Sequence, residues 1–426
     1  MGAQQSSATR NAKKWLSDFE ILQLLDEETK MSFAPVSTIS FFACDESNLQ
    51  SVEAWITDRV TQIATANRWI MGRLVHATDT GRKRKSLAVP HSLAQKDLDR
   101  LLIKNPENFR PSRSMSPEQL SAQYVNIQLP YKSSAYDKED VFVCRFVFAR
   151  TPEGFCIVFS MSHTVGDGHT FYKIMNQLSA EENVQALQPK RKLDFSQNVK
   201  TVLEANVDED LGMRFNLSMA LSFVGTLLKR TFARRKTRMF SGLIDAEKIA
   251  QVKADAASKG TVPFVSTNDI ITSAFSNAAG AHTCFMAINL RERMSGLTEC
   301  HAGNYINMMM FDGANASTPD RIRLALTHPR FHCRDEPMKL LSRSCMITNW
   351  TSFSKPIRIP DCAEQVHQPV WGLSDFKYLP LDFMVVFRAG GGRLGAQCMM
   401  APRGGCEEKV LGDMPFAQDT LKRSVI

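Results

Sequence analysis

Ser160-Met161-Ser162-His163-Thr164-Val165-Gly166-Asp167-Gly168 is the stretch on which the reading of this chain turns. In front of it, Phe155 to Ser162 has the apolar, β-branched and aromatic character of a strand. Behind it, Phe171, Ile174, Met175 and Leu178 fall at helical spacing. A strand, a tight turn and a helix therefore follow one another, and the turn holds the polar chemistry. A histidine at a strand end can project its ring into a cleft. Its pKa near neutrality suits it to take a proton from an alcohol or amine as that group attacks a carbonyl. Asp167 can orient the ring or brace the turn, and Gly168 permits a close approach or a positive φ. The same residues also fit a plain β-turn histidine whose glycines serve the turn alone.

Working outward, Val141 to Arg150 reads as a second strand, joined to the first through the hairpin signal Thr151-Pro152-Glu153-Gly154. Phe33 to Phe42 reads as a strand and Asp45 to Trp69 as a helix. Leu49, Val52, Trp55, Ile56, Val60 and Ile63 form that helix's apolar face, and Asp45 or Ser47 is its expected cap. Ala246 to Ser258 reads as a helix, and Ser266-Thr267-Asn268-Asp269 is a capping-box pattern opening another. Strands follow near Cys284–Leu290, Tyr305–Phe311, Phe383–Phe387 and Leu394–Met400. Strands and helices mix in both halves without βαβ alternation, which predicts an α+β protein of two lobes with mixed sheets flanked by helices. The divisions are a flexible arm over 1–18, an N-terminal lobe over 19–190, a crossover connector over 191–240 and a C-terminal lobe over 241–426.

The chain has 426 residues, 43% apolar and 23% charged, enough to bury large cores without staples. Its net charge of +8 is too diffuse for a nucleic-acid binder but suits an anionic ligand or membrane surface. Ten cysteines without a C-x-x-C pattern, and no secretory signal, predict reduced thiols in the cytoplasm. Cys300-His301 and His332-Cys333 lack the spaced partners of a zinc site, so no metal is expected. No run reaches the roughly 18 apolar residues of a bilayer span. His169 opens the helix after the motif and is expected to be half-exposed. Arg82-Lys83-Arg84-Lys85 reads as a solvated loop.

The central stretch is similar to the H-x-x-x-D-G signature of the BAHD acyltransferases and the wider chloramphenicol-acetyltransferase-like superfamily. Four other segments resemble the family in the same chain order. These are Arg73-Leu74, Ser266 to Asp269, Asn289-Leu290-Arg291-Glu292-Arg293-Met294 with Gly303-Asn304, and Thr348-Asn349-Trp350. The resemblance covers roughly residues 20 to 400. It implies two lobes meeting at a channel, with His163 as general base at its centre. It places Thr348 as a hydroxyl donor to the oxyanion, worth ~3 kcal/mol in comparable sites, with Trp350 lining the same pocket. Asp167 resembles the family's structural aspartate, with Arg291 as its expected partner and Arg293 second. No bound cofactor is implied; acyl-coenzyme A is the cosubstrate, and the acceptor is a small or lipid-like alcohol or amine. A monomer is expected. The alternatives are a catalytically silent scaffold with this fold and a transferase that takes acyl groups from a carrier protein. The chain departs from the family at its D-F-G-W-G block, which is structural in the family; Ile359-Pro360-Asp361-Cys362-Ala363 stands instead, where only Asp361 can match, and Asp375-Phe376-Lys377 is a later partial echo.

At the N-terminus, Met1-Gly2-Ala3-Gln4-Gln5-Ser6 fits the myristoylation pattern, making Gly2 an acylation candidate. One myristate needs a second signal. The run 215 to 228, followed by Lys229, Arg230, Arg234, Arg235, Lys236 and Arg238, can supply it as a peripheral membrane contact, or can be a packed connector with a solvated basic tail.

Overall fold

A computed structural model describes residues 18–30, 34–79, 82–130, 141–199, 237–327, 343–376, 381–400 and 412–425. Gly2, the run 215–228 and the basic residues from Lys229 to Lys236 lie outside the described residues.

The hairpin sits at the centre of a five-stranded sheet. Its order is Ala363–Pro369, Val36–Ala43, Gly154–Met161, Cys144–Thr151 and Leu102–Lys104. Neighbours are antiparallel except the last pair. Gly154 turns the hairpin at φ 139°, and a Cβ there would lie 2.4 Å from the Phe42 carbonyl oxygen. Phe42, Phe146, Phe148, Phe155 and Phe159 fill one side of this sheet. Ile39, Phe41, Val147 and Val158 fill the other, as strand alternation requires. The helix Leu49–Ala66 lays Leu49, Val52, Ile56, Val60 and Ile63 on the phenylalanine side.

A seven-stranded sheet follows, ordered Ile306–Asp312, Thr283–Asn289, Ser344–Asn349, Asp382–Arg388, Leu394–Met400, Arg238–Leu243 and Lys422–Val425. Ser344–Asn349 runs parallel to both its neighbours, and the remaining pairs are antiparallel. Along Asp382–Arg388, Met384 and Val386 join a second core with Ile270, Ile271 and Phe275 of the helix Thr267–Ala279. Val385 and Phe387, facing the other way, join the first core. Both faces are thus buried, which is why the strand reads as one continuous apolar run. One strand of the second half, Ala363–Pro369, crosses over to pair with Val36–Ala43.

Three local expectations are corrected. Arg82 to Lys85 is not a loop: it opens the strand Arg82–Pro90, held between Phe19–Gln23 and Arg73–Asp79 in a small antiparallel sheet. Leu87 and Val89 anchor that strand in the core, and the basic residues follow its ladder. Neither Asp45 nor Ser47 caps the long helix. A 3-10 turn over Glu46–Asn48 precedes it, so its N-cap is Asn48, without a side-chain hydrogen bond. Asp361 is exposed at φ 59° in the turn Ile359–Cys362, so it is not a buried structural aspartate.

Candidate active site

His163 follows the strand Gly154–Met161 in a turn closed by the Val165 amide donating to the Ser162 carbonyl at 3.0 Å. The helix Gly168–Met175 then begins, and Asp167 is its N-cap, accepting from the Thr170 amide at 2.9 Å. The turn is held from two sides.

On one side, Arg291 donates to Asp167 at 2.9 and 3.3 Å, with both side chains at most 2% exposed. Arg291 also reaches the His301 and Gly303 carbonyls, Asn289 and Thr170. The Tyr305 amide donates to Asp167 at 3.1 Å. Burial alone would raise the Asp167 carboxyl. The Arg291 charge and these hydrogen bonds outweigh it and hold the group below the usual carboxylate range. Arg293, the second candidate partner, is exposed. Both Asp167 oxygens are taken up here, so the carboxylate braces the turn.

On the other side lies a network that no sequence pattern singled out as a unit. The Asn304 side chain donates to the His163 carbonyl oxygen at 2.9 Å and to Glu28 at 3.2 Å. Glu28, fully buried, also accepts from Arg191 at 2.8 and 3.1 Å and from the Leu25 amide at 2.9 Å. Arg191 in turn donates to the Val165 carbonyl at 2.8 Å. Glu28 sits in the acidic trio Asp26-Glu27-Glu28, and Arg191 in the basic trio Lys190-Arg191-Lys192; each trio reads as a solvated face. Asn304 was visible only as half of the Gly303-Asn304 pair. Gly303 has φ 146°, and a Cβ there would press on Arg191 and Tyr305, both 3.0 Å away.

His163 itself is half-buried, with Nδ1 on its buried side. Desolvation lowers its pKa below the ordinary value. Its own backbone, Asp167, Asn304 and Glu28 oppose that shift without cancelling it. The imidazole is therefore neutral over a wider range than a free histidine.

The second half of the chain closes on this turn through Trp350. Its indole lies against Gly168 so closely that a Cβ there would stand 2.7 Å from Nε1 and 2.8 Å from Cδ1. Gly168 serves this close approach. Trp350 also packs against Phe171 and Tyr172 of the helix. Thr348 is half-buried two residues earlier, paired with Val385 in the parallel ladder. The capping box at Ser266 and Asp269 is present, and Asn349 donates to Asn268 at 2.8 Å, so two of the matched segments touch. Gly168→Ala would ordinarily stabilise a helix by ~0.5–1 kcal/mol. Here overpacking against Trp350 costs ~1–3 kcal/mol, so the melting temperature should fall. A rise on thermal denaturation would contradict the contact.

His169 is buried, contrary to expectation, with 2% exposure. Its Nε2 meets Glu299 at 2.7 Å, and its ring packs edge-on against Phe353. The helix's first turn faces the second half of the chain, which covers it. Among the described residues no group of three or more His, Cys, Asp or Glu is placed to hold a metal ion. None of their helices is long and apolar enough to cross a membrane.

No protein-family profile and no curated protein matches the chain. Solved structures do. TRI101 from F. graminearum, complexed with coenzyme A and deoxynivalenol, superposes with a TM-score of 0.60 at 13% identity, over 95% of this chain and 99% of that one. TRI101 from F. sporotrichioides, with coenzyme A and T-2, gives 0.59 at 14%, over 94% and 99%. Vinorine synthase gives 0.55 at 12%, over 93% and 92%. The chain has the two-lobed chloramphenicol-acetyltransferase-like fold. At these identities the likeness establishes the fold alone.

Proposed function

We propose that this protein is an acyltransferase that moves an acyl group from an acyl-coenzyme A thioester to a hydroxyl or amine. The observation that carries this reading is the half-buried His163 on a turn braced from both sides. A base must be held in place to be effective, and two buried ion pairs converge on the backbone around this one. Coenzyme A is the natural donor because solved structures of this fold hold it.

In this mechanism the proton sits on the buried Nδ1, and Asn304 holds the residue through its backbone carbonyl. Nε2 accepts a proton from the acceptor hydroxyl or amine. The acceptor attacks the thioester carbonyl, and the Thr348 hydroxyl stabilises the oxyanion, with Trp350 walling the pocket. The tetrahedral intermediate collapses, the carbon–sulfur bond breaks, and the thiolate leaves with the proton that His163 returns. Asp167, Gly168 and Arg291 position the base. The acceptor is a small or lipid-like molecule.

The test is release of free thiol from a panel of acyl-coenzyme A donors, with acyl-carrier-protein donors alongside. Acyl-coenzyme A turnover that depends on His163 supports the reading. Turnover with carrier-bound donors alone makes the protein a carrier-dependent transferase, and none with either makes it a scaffold. The pH profile gives a further check. Because the His163 pKa is lowered, the basic form survives acidification longer, and the acid limb of kcat should fall below the ordinary value near 6.5. A limb above pH 7 would contradict it.

The same reading places the enzyme at the cytoplasmic membrane surface, through Gly2 myristoylation and the basic residues after the run 215–228. A myristate alone binds with only ~10⁴ per molar, and each basic residue near an anionic leaflet adds ~1 kcal/mol. Wild type should pellet with anionic vesicles at low salt. Gly2→Ala, or alanine at Arg234, Arg235 and Lys236, should weaken this, and soluble wild type would end the membrane reading.

A further inference from the structure

Ala43 pairs with Ala363 at the end of the antiparallel ladder between Val36–Ala43 and Ala363–Pro369. The next residue out on each strand is a cysteine, so Cys44 and Cys362 stand opposite each other. Cys44 is near enough to Cys362 to raise its thiol. Both are free thiols and half-buried. Opposed residues in an antiparallel pair have Cβ atoms ~4.5–5.5 Å apart. A disulfide needs ~3.5–4.5 Å and tolerates Cα separations of ~4.4–6.8 Å. A small adjustment at the fraying end of a ladder covers that difference.

We propose that Cys44 and Cys362 form a reversible disulfide, a modification site addressed by low-molecular-weight disulfides such as oxidised glutathione. The thiolate of Cys44 attacks one sulfur of the oxidant and expels a glutathione thiolate. Cys362 then gives up its proton and attacks the Cys44 sulfur, expelling the second glutathione. Two protein thiols are oxidised to one disulfide, and one glutathione disulfide is reduced to two thiols. Burial, and then the neighbouring Cys44, push the Cys362 thiol up to about 12, which assigns it the resolving step rather than the first attack.

Accessibility separates this pair from the others. Cys284 and Cys345 are also opposed, in a parallel ladder, but both are fully buried and out of an oxidant's reach. Cys300 is exposed, with no other cysteine paired to it in any ladder above. The proposed bond would tie Val36–Ala43 directly to the start of the crossover strand. The segment between Trp350 and Cys362 would then be tethered at both ends. That segment already docks on the motif helix's end, where Asn176 donates to the Phe353 carbonyl at 2.8 Å and accepts from the Lys355 amide at 3.1 Å.

The experiment treats the folded full-length chain with oxidised glutathione, alkylates remaining thiols and maps non-reduced peptides by mass spectrometry. The expected product joins the Cys44 and Cys362 peptides, and dithiothreitol releases it. Cys362→Ser should trap Cys44 as a glutathione adduct, and Cys44→Ser should abolish the cross-link. Glutathione on Cys300 in every sample shows that the oxidant was active. Wild type that carries glutathione on Cys44 with no cross-link, or that stays unmodified at both cysteines while Cys300 reacts, overturns the proposal.

Discussion

His163→Ala is expected to lose at least ~100-fold in turnover while the protein stays folded. General acid–base catalysis contributes ~10²–10⁴-fold, and no second histidine in the motif can substitute. His169 is buried and engaged with Glu299. The structure also argues that the variant folds. The turn is held through backbone atoms, the His163 and Val165 carbonyls, which alanine retains at 163. Thiol release from an acyl-coenzyme A, measured beside the circular-dichroism melting curve, checks both halves. Near-normal turnover by a folded variant would sink the mechanism, whatever the fold.

The second large effect concerns stability. Removing one partner of a buried ion pair costs ~3–5 kcal/mol because the other charge is left without compensation. Asp167→Ala and Arg291→Ala should each cost that much. Asp167 also loses its helix cap, worth ~1 kcal/mol. The double variant should fall well short of the sum, with a coupling of ~0.5–3 kcal/mol. Urea denaturation of the four proteins closes the cycle, and strictly additive losses would show that the two do not act together. The sign with pH is fixed too. Asp167's folded pKa is depressed, so its contribution is complete above the ordinary carboxylate range and is lost as pH falls through the folded value. Acidification should therefore narrow the gap between wild type and Asp167→Ala.

Much of the centre of this molecule was legible in the chain because its signals are local. The hairpin before His163, the helix after Gly168 and the capping box at Ser266 each depend on a few consecutive residues whose period or cap chemistry is short-range. The order of five such segments along the chain was enough to indicate the two-lobed fold, and with it Arg291 as the partner of Asp167. What failed was of another kind. Arg82 to Lys85 looked solvated because charge dominates its composition, yet the ladder it forms with His76 to Asp79 makes it a strand. His169 looked half-exposed because nothing within its own helix covers it; Phe353 and Glu299 come from far along the chain.

The chain by itself determined the local elements, the turn that carries His163 and the chemistry that turn can support. Only the tertiary structure decided what holds the turn in place. Glu28 and Arg191 lie 163 residues apart, and no pattern in the sequence pairs them. They look like surface charges until folding strips water from both. A buried charge is tolerable only when paired, so two ordinary-looking residues become mutually dependent once the lobes close around them. The crossing of Ala363–Pro369 into the first sheet is the same kind of fact. Strand pairing is settled by which edge is free in space, and position along the chain carries no record of that.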